Sequence, residues 1–301
     1  MSNSSVLFDV PGPRARRVSL ISSIIAAVLI LAGLGWIAYT LAQEKQSGGI
    51  TLPGYFDPSR WDILADPEVW SFIFFEGVLG TLRAALTAAV FAIILGVILS
   101  LLRSSQIAWI RIPTTIVLEF LRGMPVLLMM LFILLVFSTD PFWAVVWALT
   151  LYNGALIGEA LRAGLVSLPR GQREAGLSLG MRPLQSKMLV EFPQAFRQML
   201  PIIVAQLVVL LKDTSLGYIV GYTELLRVTM NNLSSFYGNR YLFTFFVVTL
   251  VLYLIMNLSL SWFARWLSRR TASKTSGKVL NPEDPGQAVL VAEASAPSDT
   301  H

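Results

Sequence analysis

Runs of about 20 apolar residues recur along this chain, and they restrict its folding more than any other feature. A run of that length crosses a hydrocarbon core of roughly 30 Å only as an α-helix, because a helix satisfies its backbone hydrogen bonds without water. The runs cover approximately residues 18–41, 81–102, 114–137, 141–164, 198–222 and 242–267. They predict an all-α integral membrane protein with about six transmembrane helices. Charged residues make up 14% of the chain, against about 25% in soluble domains, which fits the same class.

The first run follows Arg14, Arg16 and Arg17 and is longer than the 7–15 apolar residues of a signal peptide. It reads as a retained anchor. Four regions result: an N-terminal segment with the first helix (1–42), an extracytoplasmic segment (43–75), a five-helix core (76–267) and a disordered cytoplasmic tail (268–301). Basic residues set the orientation, because cytoplasmic ends of spans collect Lys and Arg. One side receives Arg14, Arg16, Arg17, Arg103, Arg111, Arg122, Arg162, Arg170, Arg173, Arg182, Lys187, Arg197, Arg265, Arg269, Arg270, Lys274 and Lys278. The other receives only Lys45, Arg60, Arg227 and Arg240. Both termini and the polar stretch 169–193 therefore fall on the cytoplasmic side of a plasma membrane.

Several chemistries drop out. The net charge of +5 gathers at span ends, so it marks topology and not nucleic-acid binding. The absence of cysteine excludes disulfides, iron–sulfur clusters and thiolate zinc sites, and the one histidine is the terminal His301. No G-x-x-x-x-G-K-[ST] occurs, so the chain has no P-loop for ATP. Trp61, Trp70, Trp109, Trp262 and Trp266 lie near predicted interfaces, as in a membrane aromatic belt.

The stretch 169–193 is too long and too charged for a simple connector between antiparallel helices. Pro169-Arg170-Gly171 should end the preceding helix, Gln172 to Leu179 can form a short helix, and Gly180 can supply a left-handed cap. Leu177 and Leu179 would then face the protein while Arg173 and Glu174 face a partner. Glu174-Ala175-Gly176, with Gly180 beyond and Phe192-Pro193 after that, resembles the EAA loop of ABC importer permeases. Three further blocks agree: Gly80-Thr81-Leu82, Glu119-Phe120-Leu121-Arg122-Gly123-Met124-Pro125, and Lys212-Asp213-Thr214-Ser215-Leu216. Together they resemble the polar amino-acid uptake branch, and the overall run of residues is most similar to actinobacterial glutamate-importer permeases. Two positions depart from that pattern. Gly176 stands where a second alanine is usual, at a helix cost of up to about 1 kcal/mol. Phe192 stands where an aliphatic residue is common.

The resemblance implies a type I importer architecture. Arg173, Glu174, Ala175, Gly176 and Gly180 would couple the chain to one of two ABC ATPase subunits, which would bind ATP and Mg; this chain would hold no cofactor. A second permease subunit, an extracytoplasmic solute-binding protein and membrane lipid complete the expected partners, with residues 221–241 a candidate receiving surface for the binding protein.

Charges inside spans are costly and must face protein or water. Lys212 and Asp213, with the hydroxyls of Thr214 and Ser215, are candidates for the translocation path; a buried structural pair is the alternative. Glu119 with Arg122, and Glu159 with Arg162, are three residues apart on one helix face and read as structural pairs. Gly123 and Pro125 should weaken the third span as a hinge. Gly217 and Gly221 form a small-xxx-small face suited to close packing. Two rival readings differ in class: an ion-coupled transporter or channel using Lys212, Asp213 and Glu159, and an intramembrane hydrolase, for which no nucleophile–base pair is evident.

Overall fold

The computed structural model describes residues 12–47 and 50–272. The expected disordered tail lies outside them from residue 273 onward. Proline sets the start of the first helix, α1 (Pro13–Ala42), and no part of its apolar stretch is buried within the structure. A minimal hairpin follows, β1 (Lys45–Ser47) against β2 (Ile50–Leu52), antiparallel with Gln46 opposite Thr51. The remaining elements are helical: α2 (Pro67–Arg103), α3 (Ala108–Gly123), α4 (Val126–Val136), α5 (Pro141–Ser167), α6 (Arg170–Ser178), α7 (Pro183–Tyr218) and α8 (Leu242–Ala272).

The described residues fall into two compact units. The first comprises residues 12–71 with Thr229–Val248. Its segment after α1 carries more structure than a polar connector. A side chain at Gly54 would lie 2.1 Å from the Ala42 carbonyl oxygen, so glycine permits the chain to turn back on α1, where Tyr55 N–H donates to Leu41 O at 2.8 Å. Arg60, which sequence alone assigns to the solvated outer face, is buried. Its guanidinium donates to Pro53 O and Arg240 O at 2.9 and 2.8 Å and lies over the Tyr55 ring. Three aromatic rings, Tyr55, Phe56 and Trp61, surround Phe243. The indole N–H groups of Trp61 and Trp70 donate to Tyr55 O and Leu64 O, so these two tryptophans are built into this unit.

The second unit comprises Phe72–Val228 and residues 249–272. Its centre is a seam of small residues along α2: Ala84, Ala88, Ala92, Gly96 and Ser100 recur every fourth position, and all are buried. A Cβ at Gly96 would meet Ile157 at 2.7 Å, and one at Gly154 would meet Leu95 at 2.9 Å. This ladder, rather than Gly217 and Gly221, makes the close helix contact. Gly217 is packed against Tyr222 and Val145, but Gly221 has nothing near its missing side chain and a φ of +86°. It is a turn residue.

Three spans differ from the expected ones; the fifth, α7, begins at Pro183, inside the polar stretch, and not near residue 198. The second begins at Pro67, so the last part of the presumed extracytoplasmic segment belongs to α2. The third is not one rod: α3 and α4 meet at 103° across Met124 and Pro125. Pro125 lacks an N–H and holds Met124 extended, which breaks the helix instead of merely softening it.

Candidate functional site

Leu168 and Pro169 are extended and stop α5, as proline directs for itself and the residue before it. Helix α6 starts at Arg170, earlier than Gln172, and ends in a Schellman arrangement. Gly180 takes φ +79°, its N–H donates to Leu177 O at 2.9 Å, and Met181 N–H donates to Gly176 O at 3.3 Å. The chain then reverses into α7, where Arg182 N–H donates to the Gln185 side chain at 2.9 Å.

The departure at Gly176 has a physical reason. A Cβ there would sit 2.6 Å from Ser186 Oγ and 3.1 Å from Ser186 Cβ. Glycine lets α6 lie directly on the start of α7, over a buried Ser186 whose hydroxyl donates to the buried Glu191 at 3.4 Å. Gln194, bonded to Gln172 at 3.1 Å, adds a second tie. Phe192 packs beside Phe196 at the edge of the core.

This anchoring leaves Arg173, Glu174 and Ala175 exposed side by side. The expectation that Leu177 and Leu179 turn inward is overturned: both are exposed, Leu179 by 79%. The inward position of the short helix belongs to Gly176, and Leu179 already lies past the last helical residue. The result is a projecting surface, part charged and part apolar, anchored on α7.

Behind it the two predicted ion pairs form a single network. Arg162 holds Glu159 through three contacts of 2.7–3.2 Å, and Arg122 approaches Glu119 at 3.5 Å. Arg103 joins the pairs, 2.5 Å from Glu159 and 3.3 Å from Glu119. Sequence reasoning counted Arg103 only as a cytoplasmic charge, because its partners are 16 and 56 residues away. The network ties the ends of α2, α3 and α5 together next to the segment that leads into α6.

The Lys212–Ser215 group sits where α7 changes from α-helix, ending at Asp213, to a 3-10 turn over Thr214–Tyr218. The group therefore lies at a change of helical type near the end of α7, not within an unbroken α-helix. Lys212 is exposed and borders a cavity of about 480 Å3 with Pro201, Val209, Ser261 and Arg265. Asp213 is half-buried. Thr214 and Ser215 donate to Leu211 O and Lys212 O at 2.7 and 2.8 Å, so both hydroxyls close their own turn.

A buried acidic centre escaped the sequence reading. Glu224 is fully buried and accepts from Leu226 N–H, Arg227 N–H and Tyr253 Oη at 2.7–2.8 Å. Thr81 Oγ1 accepts from Leu225 N–H at 3.1 Å, and Tyr222 Oη donates to Gly80 O at 2.8 Å. Burial pushes the Glu224 carboxyl up against the opposing pull of these hydrogen bonds, and pushes the Tyr222 phenol up to about 12. The first part of the 221–241 stretch is therefore interior, not a receiving surface. One acid among the apolar residues before Leu-Leu-Arg was the available signal, since an acid there can cap the next helical turn.

Helices of this number, a broken third span and a projecting short helix define a membrane component of an ABC importer. Residues 90–273 match the family model described as binding-protein-dependent transport system inner membrane component, and the chain belongs to that family. It is a multi-pass plasma-membrane protein, a non-catalytic subunit of a class that works with separate ATPase subunits. The chain is 37% identical over 216 residues to the glutamate transport system permease protein GluD of Corynebacterium glutamicum, covering 69% of this chain and 78% of that one. It is 31% identical over 212 residues to the glutamate/aspartate import permease protein GltK of Escherichia coli, covering 65% and 92%. A crystal structure of an amino acid ABC transporter with histidines superposes with a TM-score of 0.62 at 27% identity, over 69% of this chain and 98% of that one.

Proposed function

We propose that this chain carries a polar amino acid, glutamate first among candidates, into the cytoplasm, driven through α6 by two ATPase subunits that bind ATP and Mg. The observation that carries the coupling role is the exposed Arg173-Glu174-Ala175 surface fixed to α7 by Gly176 and closed by Gly180. A partner moving α6 would move α7 with it, and the Arg103 network lies along the path from α6 to α2 and α3. Two relatives named for glutamate support the solute. The gathering of basic residues on one side supports cytoplasmic termini and a cytoplasmic α6. A second permease subunit and an extracytoplasmic binding protein complete the assembly, with Lys212 and Asp213 as candidates for the solute path.

The test reconstitutes the chain with its ATPase and binding protein in vesicles and measures ATP hydrolysis against a panel of amino acids. Stimulation by glutamate above the others is expected; stimulation by no amino acid contradicts the assignment. The ion-coupled alternative using Lys212 and Asp213 predicts uptake without ATP, and it leaves the projecting α6 surface without a purpose.

A further inference from the structure

A cavity of about 770 Å3 opens between α6, the ends of α2 and α5, and the starts of α3 and α7. Arg103, Arg111, Arg162, Arg173 and Lys187 line it, with Glu191 as the one lining carboxylate. Glu159 engages Arg103 and Arg162, and Lys187 donates to Ser104 O and Oγ at 2.6 and 3.2 Å. Arg111 and Arg173 are exposed and make no ion pair among the described residues. The cavity thus keeps a surplus of positive charge with two guanidinium forks free, the geometry suited to phosphate oxygens.

Apart from Ser104, Ser105 and Gln106, its remaining lining is apolar, and part of that apolar surface is uncovered. Ile107 and Val166 line the cavity and are exposed, and Trp109, two residues along from Ile107, is 89% exposed. A soluble anion needs no such rim. An amphiphile does, because its chains need apolar surface beside the charge, and basic pockets at the ends of membrane helices recognise anionic headgroups in this way. We propose that this cavity is a site for an anionic phospholipid, with Arg111 on the phosphodiester and the acyl chains along Ile107 and Val166. Such a lipid bridges the start of α3 and the end of α5, and it places bilayer composition beside the segment that leads into α6. The inference goes beyond the import reading and requires only that these helices span a bilayer.

Native mass spectrometry of the purified full chain in detergent tests it, with phosphatidylglycerol and phosphatidylcholine offered at equal concentration. At least threefold greater retention of phosphatidylglycerol is expected. Arg111→Gln, at an exposed unpaired position, should remove most of that preference with the melting temperature unchanged, and Arg111→Lys should keep at least half of it. Equal retention of the two lipids, or a preference untouched by Arg111→Gln, overturns the proposal. Displacement of the bound lipid by millimolar inorganic phosphate also overturns it, because the site would then read free phosphate and not a lipid.

Discussion

Gly176 illustrates how one residue can be legible as a deviation and illegible as a design. The sequence alone assigns it a helix penalty; the contact with Ser186, ten residues on, turns that penalty into a requirement. Gly176→Ala gains up to about 1 kcal/mol of helix propensity and loses roughly 1–3 kcal/mol to overpacking, so a net destabilisation of about 1 kcal/mol is expected. Thermal melts of the chain in detergent measure it, and adding Ser186→Ala, which deletes the nearer contact atom, should recover part of the loss. Glu224 offers a second residue-scale prediction. Its folded carboxyl is raised above the ordinary value of 4.5, so the folded state binds that proton more tightly than the unfolded chain. The stability it contributes is full below pH 4.5 and declines as pH rises through the folded value. Glu224→Gln should flatten that part of the pH–stability curve while costing about 1–3 kcal/mol, because a side-chain amide N–H would confront a backbone donor. The Gly176–Ser186 contact could not be read from the chain, since it joins two helices; the Glu224 cap on Leu226 and Arg227 is local, and only its Tyr253 partner comes from a distant helix.

At the scale of elements, spans were legible because apolar length is a local property, whereas bends and bridges are not. Gly123 and Pro125 pointed to a weak place in the third span, but the 103° turn between α3 and α4 depends on where Met124 and Pro125 are held. The chain contains no cysteine, so single labels can be placed cleanly. Spin labels at Ile112 and Phe132, both exposed, should lie about 20 Å apart, against roughly 30 Å for a straight helix at 1.5 Å per residue. A measured separation near the longer value would mean that the third span is a single rod. The charge network poses a similar question. Arg103→Gln removes the cation shared by Glu119 and Glu159, and the partial exposure of those groups limits the expected loss to roughly 1–3 kcal/mol. Combined with Glu119→Gln, the loss should be less than additive, because the two substitutions remove one shared contact. Full additivity would show that Arg103 does not bridge the pairs.

For the whole molecule, membrane class and family were legible because they are written in composition and in contiguous motifs. The fold of the first unit around Arg60 and Phe243 was not, because aromatic clusters formed across nearly 200 residues leave no periodic trace. Helix α6 is the proposed surface through which the chain is driven. Glu174 is exposed and makes no ion pair among the described residues, so reversing its charge should leave the fold intact while altering what can dock there. The direct measurement is binding-protein-stimulated ATP hydrolysis and solute uptake by reconstituted wild-type and Glu174→Lys complexes, with equal amounts of permease in the membrane. A loss of both activities by at least tenfold, together with weakened retention of the ATPase on copurification, is the predicted result. Uptake at the wild-type rate with the ATPase still bound would contradict the coupling role assigned to α6.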